Sequence, residues 1–263
     1  MTTSTRWSDL LTRIISAGAL LLIAIGAAMY GRLGFGIFVA GVAGAMGWEL
    51  ARMHSPRAPA VSIIVGVVTA ALVIGQGLMI GILGVLATLL LSLILACGLS
   101  LLVSRDHPIF AAYWLAVLIT GHLILFLFQP ALVHLLLLMI AVVIVTDVFG
   151  YFAGRIIGGP KFWPQISPKK TWSGVIAGWI GAGLIGIGAA IFTQATIALT
   201  FVAVVMSMSA QLGDVAESAI KRRAGVKDSS DLIPGHGGFL DRFDGLIGAA
   251  LVMFVVLVVD AAT

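Results

Sequence analysis

Apolar runs of membrane-crossing length nearly tile this chain, and no other feature restricts its fold as severely. A helix that crosses a bilayer needs about 20 apolar residues, and such runs recur from residue 14 to residue 259. The chain of 263 residues is 60% hydrophobic and 10% charged, with a mean hydropathy of +1.16. Soluble domains carry about 25% charged residues, so lipid is the main solvent here. The expectation is one all-α polytopic membrane domain over residues 1–263, with no room in it for a separate soluble domain.

Breaks between the runs give about nine spans: 14–30, 35–50, 60–74, 78–103, 109–128, 131–152, 174–192, 195–212 and 246–259. Tight turns are expected at Gly31-Arg32-Leu33-Gly34, Gly75-Gln76-Gly77 and Gln129-Pro130, all of them turn-forming sequences. Polar breaks fall at 52–59, 104–108 and 155–171, and the eighth helix continues to about Arg222. The seventh run is rich in Gly and Ala, as close helix packing in lipid favours.

Basic residues assign the sides. With the N-terminus in the cytoplasm, 14 of the 15 Lys and Arg fall in loops on that side, and only Arg32 lies opposite. An excess of Lys and Arg in short cytoplasmic loops is the known bias of membrane proteins. It also accounts for the net charge of +4 and the pI of about 9.6 without nucleic acid as a partner. The expected topology is nine helices with the N-terminus inside, the C-terminus outside, and Arg6 and Trp7 at the interface. Cys97 is the only cysteine, which rules out a disulfide framework and a cysteine metal site. No cleavable-signal pattern and no repeat of 20–50 residues is seen.

One strongly polar stretch interrupts this apolar background. Residues 218–244 hold Lys221, Arg222, Arg223, Lys227 and Arg242 beside Asp228, Asp231, Asp241 and Asp244. Pro234-Gly235 and Gly237-Gly238 flank His236. Carboxylates at a membrane edge are costly and need a reason, and Asp147 and Asp214 stand near the ends of spans six and eight. Asp214, Glu217 and Ser218 fall at i, i+3 and i+4, on one helical face. Asp241 and Asp244 repeat the i, i+3 spacing at the start of the ninth helix, where the helix dipole favours negative charge. Such hard oxygen donors suit Mg²⁺, which takes one or two carboxylates and shares the rest of its shell with phosphates and water. The plainer alternative is that these acids only pair with nearby basic residues.

A second cluster is Ser167-Pro168-Lys169-Lys170-Thr171, whose lysines and hydroxyls suit a phosphate chain. No Walker-type phosphate loop occurs. His122 and His134 lie inside spans and read as packing residues, and Glu49, at the end of the second span, reads as a side chain that snorkels to the adjacent loop.

The polar stretch resembles the C-terminal signature of the phosphatidate cytidylyltransferases, the CDP-diacylglycerol synthases. Ser218, Ile220, Lys221-Arg222, Lys227-Asp228, Ser230, Ile233-Pro234, His236-Gly237-Gly238, Phe239 and Asp241-Arg242-Phe243-Asp244 fill every position of that pattern over 27 residues. Upstream, Asp147, Tyr151 and Gly154-Arg155 are similar to the family's Asp-x3-Tyr-x2-Gly-Arg segment, and 167–171 to its Ser-Pro-Lys-Lys-Thr motif. The usual glutamate two residues after that threonine is Ser173 here, so no carboxylate role is expected at 173. Residues 1–140 share only apolar helices with the family, and 141–263, with cytoplasmic loops 153–173 and 213–245, form the catalytic half.

The resemblance implies transfer of the cytidylyl group of CTP to phosphatidate, giving CDP-diacylglycerol and pyrophosphate. It implies a multi-pass protein of a bacterial cytoplasmic membrane, with its site facing the cytoplasm. It also implies Mg²⁺, with K⁺ as a second cation, membrane lipid around the chain, and a homodimer. Asp214, Asp241 and Asp244 are expected to hold the metal, with Lys221 and Arg222 in the catalytic group. Asp147, Arg155, Ser167, Lys169, Lys170, Thr171, Ser218, Lys227, Asp228, His236, Gly237, Gly238 and Arg242 are expected to contact substrate. The competing readings are a CTP-dependent lipid kinase and a polytopic transporter of a phosphorylated solute. A transporter would place its ionisable groups near the bilayer midplane, whereas these cluster at one edge. A CDP-alcohol phosphotransferase is disfavoured because its Asp-Gly-x2-Ala-Arg pattern is not met at Asp244-Gly245.

Overall fold

The computed structural model describes residues 3–78, 82–194 and 196–262. Among them are nine helices: α1 Thr3–Met29, α2 Gly31–His54, α3 Pro59–Leu78, α4 Ile82–Ser100, α5 His107–Leu127, α6 Val133–Ile156, α7 Trp172–Thr193, α8 Ala198–Ala224 and α9 Leu240–Ala262. Six of them, α2 and α5–α9, are long and apolar enough to cross a membrane. The other three carry shorter apolar runs, Ile15–Met29, Pro59–Gly75 and Ala87–Ser100. Large apolar side chains such as Ile63, Val67, Leu90 and Ile94 stay exposed, as lipid-facing surfaces do. The side chains of Arg6 and Trp7, expected at the interface, lie outside those the structure describes.

The helices run past several expected ends. Helix α3 continues through Gly75-Gln76-Gly77, and α2 begins at Gly31, so the first turn is confined to Tyr30 and Gly31. Helix α6 continues to Ile156, which puts Arg155 on a helix and not in a loop. Glycine and polar residues do not end these helices, because in an apolar setting the backbone keeps its internal hydrogen bonds. The chain is also not wholly helical. Strands β1 Lys161–Trp163 and β2 Ser167–Thr171 form a small antiparallel hairpin inside the stretch expected to be loop.

The chain divides into two compact units. The first comprises Met1–Gln129 with Ala224–Arg242, the second Pro130–Arg223 with Phe243–Thr263. In the first unit α2 packs on α1, α3 and α5, around a core that includes Leu50, Phe110 and Trp114. Gly44 and Gly66 bring α2 and α3 to backbone contact, since a Cβ on either would meet the other's carbonyl at 3.0 Å. Trp114 donates from its indole nitrogen to Thr69 Oγ1 at 2.7 Å, which satisfies its polar edge inside the core.

In the second unit α6 packs on α7 with equal closeness. A Cβ on Gly174 would strike the Gly150 carbonyl, and one on Gly154 would press on Thr171 Oγ1 at 2.9 Å. Thr171 caps α7 by accepting from Gly174 N at 3.3 Å. Glycines also set the approach of α8 to the later part of α9: a Cβ on Gly213 would strike the Asp244 carbonyl, and one on Gly248 the Ser209 carbonyl. Ser209 Oγ donates to Gly248 O at 2.7 Å across that contact. Overpacking such a site costs about 1–3 kcal/mol or more. Gly248→Ala is therefore expected to lower the melting temperature of the detergent-solubilised protein. Gly41→Ala on α2, where an added Cβ meets nothing within 4 Å, is expected to leave it unchanged or raise it slightly.

Candidate active site

In the second unit some of the acids and lysines singled out from sequence come together, while Lys227, Asp228 and Asp241 belong to the first. Helix α8 presents Asp214, Glu217, Ser218 and Lys221 at helical spacing, and β2 brings Lys170 to it. Lys170 Nζ donates to Asp214 Oδ2 at 2.7 Å and to the Gln211 carbonyl at 3.2 Å. Ser218 Oγ lies 3.4 Å from the other oxygen, Asp214 Oδ1. Asp244 on α9 lies within electrostatic reach of Asp214, Asp147 and Lys221. Asp244 of α9 therefore feels both Asp147 of α6 and Asp214 of α8, with Lys221 in the same reach and Lys170 paired to Asp214.

Two devices fix this cluster. Gln211 is clamped from α7, accepting from Trp179 Nε1 at 3.0 Å and donating to Val175 O at 3.2 Å, so the α8 turn that precedes Asp214 is held in place. The hairpin is tied at its base by Ser173, which donates to the Gly158 carbonyl at 2.5 Å and lies 3.0 Å from Thr171 Oγ1. Ser173 thus serves as a hydroxyl latch. Lys221 and Glu217 form a pair at 2.7 Å one helical turn apart, with Glu217 fully buried. Lys169, Arg155 and Arg222 are exposed, and Arg155 Nη1 donates to Tyr151 OH at 3.1 Å.

In the first unit the loop from Lys227 to Arg242 has its own internal order. His236 sits in a tight turn closed by Ile233 N to Gly237 O at 2.8 Å and His236 N to Ile233 O at 2.9 Å. Gly237 has φ +84°, a left-handed backbone that other residues adopt only with strain. His236 Nδ1 lies 2.7 Å from Ser16 Oγ of α1, and the His236 carbonyl accepts from Arg242 Nε at 3.0 Å. Asp241 Oδ2 accepts from Ser229 N at 2.9 Å, Ser229 Oγ at 2.9 Å and Gly238 N at 2.8 Å. Gly238, expected to contact substrate, has its N–H engaged by Asp241. Lys227 and Asp228 are exposed.

The residue that sequence reasoning misplaced is Glu49. It is fully buried and does not snorkel. Its Oε1 accepts from Ser230 Oγ at 2.5 Å and Phe239 N at 3.0 Å. Its Oε2 accepts from Leu240 N at 2.7 Å, with Ser229 Oγ at 3.2 Å. A Cβ on Gly238 would strike both Ser229 Oγ and Glu49 Oε1, which is why this position needs glycine. No local pattern signals these contacts, because the partners lie about 180 residues along the chain.

A model of the cytidylyltransferase family matches residues 11–260. The chain belongs to this family. It is 34% identical over 254 residues to the phosphatidate cytidylyltransferase of Brucella abortus biovar 1 (strain 9-941), covering 94% of this chain and 93% of that protein. It is 41% identical over 128 residues to the phosphatidate cytidylyltransferase of Staphylococcus saprophyticus, covering 48% of this chain and 49% of that one. The corresponding protein of Rickettsia bellii is 38% identical over 131 residues, covering 46% of this chain and 57% of that one.

The donor set suits a hard divalent cation, although no group of three acidic, His or Cys side chains among the described residues is spaced as a complete metal cage. Mg²⁺ does not need one, since one or two carboxylates and substrate phosphates are its usual shell. Removing one partner of a buried pair costs about 3–5 kcal/mol, because the other charge is left uncompensated. Lys221→Met should therefore destabilise the protein strongly in a thermal melt, and the double change Glu217→Gln with Lys221→Met should restore much of that stability. If Lys221 also meets substrate phosphate, turnover will stay low in the stable double variant.

Proposed function

We propose that this protein transfers the cytidylyl group of CTP to phosphatidate, releasing pyrophosphate and leaving CDP-diacylglycerol in the membrane. The observation that carries this reading is the gathering of Asp147, Asp214 and Asp244 with Lys170 and Lys221 in a chain of this family. A lipid phosphate must approach the α-phosphorus of an equally anionic nucleotide, so positioning and charge neutralisation dominate the barrier. Phosphatidate already carries an ionised oxygen, and the reaction needs no base to deprotonate an alcohol. Bond formation from that oxygen to the α-phosphorus expels pyrophosphate.

Asp214 and Asp244, with Asp241 from the first turn of α9, would hold Mg²⁺, which when bound polarises the phosphates and neutralises developing charge. Lys169, Lys170, Lys221, Arg222 and Arg242 balance the phosphates of nucleotide and lipid. Arg155, Ser167, Thr171, Ser218, Lys227, Asp228, His236 and Gly237 line the substrates' path, and Asp147 borders the acidic cluster. Lys170 has a double duty in this reading. Its ammonium pairs with Asp214, and it would be free to meet a substrate phosphate if that carboxylate held a cation. The membrane is crossed nine times, with the N-terminus and the polar loops in the cytoplasm, where CTP is available. The asymmetry of Lys and Arg supports this orientation.

Purified protein given phosphatidate, Mg²⁺ and CTP labelled in its cytosine ring should yield a labelled lipid and pyrophosphate. A lipid kinase would instead release labelled CDP and leave the lipid unlabelled. Asp214→Asn and Asp244→Asn are each expected to lower this turnover by about 1,000-fold while the melting temperature stays near that of the wild type. Near-normal turnover in either variant would remove that carboxylate from the site.

A further inference from the structure

Glu49 lies on α2, far in sequence from every motif of the catalytic half, yet its carboxylate is the densest hydrogen-bonding centre of the His236 loop. Each oxygen receives one serine hydroxyl and one backbone N–H: Ser230 and Phe239 on Oε1, Ser229 and Leu240 on Oε2. These donors come from both ends of the segment 229–240, so one side chain closes the loop at its base. The two backbone donors are also among the first N–H groups of α9, which no carbonyl inside the helix can satisfy. A buried anion there compensates them and meets the positive end of the helix dipole.

We propose that Glu49 is a positioning residue for the catalytic loop, and that it acts through Ser229 and Gly238 on Asp241. The proposal rests on the cytidylyl-transfer reading above. Ser229 offers one hydroxyl proton to two carboxylates, with its oxygen 2.9 Å from Asp241 Oδ2 and 3.2 Å from Glu49 Oε2. Gly238 is packed by Glu49 on one side and donates its N–H to Asp241 Oδ2. Glu49 thus fixes two of the residues that aim Asp241. The turn bearing His236, and Arg242 bonded to the His236 carbonyl, lie within the same closed segment.

The symmetry of the donors makes the charged acid necessary. A glutamine has one acceptor oxygen and one donor edge. Whichever way its amide turned, the NH₂ edge would face a backbone N–H, of Leu240 in one orientation and of Phe239 in the other. A serine hydroxyl can rotate to accept, but a backbone N–H cannot. Aspartate keeps acceptors on both edges and loses only reach.

The test is Glu49→Gln beside Glu49→Asp, purified in detergent, with kinetics, a thermal melt and amide hydrogen exchange. In Glu49→Gln we expect kcat to fall by about 10- to 100-fold, the range that one unmade buried hydrogen bond spans. KM for CTP should rise and KM for phosphatidate should not. The amides of 238–240 should exchange faster while those of α5 keep wild-type protection, and Glu49→Asp should recover more turnover than Glu49→Gln. Glu49→Gln with wild-type kinetics would overturn the proposal, as would unaltered exchange at 238–240. If Glu49→Gln does not fold, Ser229→Ala and Ser230→Ala carry the test, each removing a loop hydroxyl without touching a helix. Loss of CTP turnover in both folded serine variants supports the positioning role, and full turnover in both overturns it. Wild-type protein that makes no CDP-diacylglycerol would overturn the catalytic reading, an outcome distinguished from the others because loop exchange in Glu49→Gln can still change.

Discussion

Hydrocarbon provides no water to a buried polar group, so every acid carried into this protein must find its partners within the chain. Two glutamates meet that demand in different ways. Glu217 on α8 is neutralised by Lys221 one turn later, a local solution that any isolated helix could form. Glu49 on α2 is surrounded by neutral donors, two hydroxyls and two backbone N–H groups, all from residues 229–240. The first arrangement keeps charge on one helix face. The second ties an N-terminal helix to a distant loop, because a buried carboxylate without its donors would be very costly. Glu49 thereby anchors the base of the His236 segment, whose inner turn is held separately by its own bonds and by Asp241.

Small residues do the complementary work in the second unit. Gly150 and Gly154 on α6 let α7 and Thr171 come close, which places β2 and its lysines beside the end of α6. Gln211 then binds α8 to α7 through Trp179 and the Val175 carbonyl. The contact of Lys170 with Asp214 depends on both. Two motifs separated in sequence, 147–155 and 167–171, are thus parts of one packing arrangement. The glycine of the first makes room for the threonine of the second.

The apolar runs were legible because length in lipid is a nearly one-dimensional constraint, and each expected span corresponds to a helix among the described residues. Their ends were less legible. Gly75-Gln76-Gly77 and Arg155 look like breaks, but a helix keeps its own hydrogen bonds and has little reason to stop at them. The hairpin 161–171 escaped notice because its strands, three and five residues long, are too short for a strand pattern to stand out in the sequence. Asp214, Glu217 and Ser218 could be grouped by spacing alone, since they share a helix. Glu49 could not, because its meaning lies in donors that only the folded chain brings to it. Ser173 was legible as a departure from the family pattern, but its bond to the Gly158 carbonyl was not.

The carboxylates proposed as metal ligands divide by how each is held within its own unit. Asp214 is paired with Lys170, whose ammonium also donates to the Gln211 carbonyl. Asp244 stands among like charges, an arrangement that favours the arrival of a cation. Asp241 differs from both. Three donors from its own loop converge on Oδ2, so the plane of the carboxylate, and with it the direction of Oδ1, is set before any substrate binds. Mg²⁺ demands near-ideal octahedral geometry and tolerates misdirected ligands poorly. A carboxylate oriented in advance reduces the reorganisation needed when nucleotide and metal arrive together. On the proposed role of Asp241, the loop's internal hydrogen bonds would contribute to the reaction's energetics by fixing that carboxylate in advance.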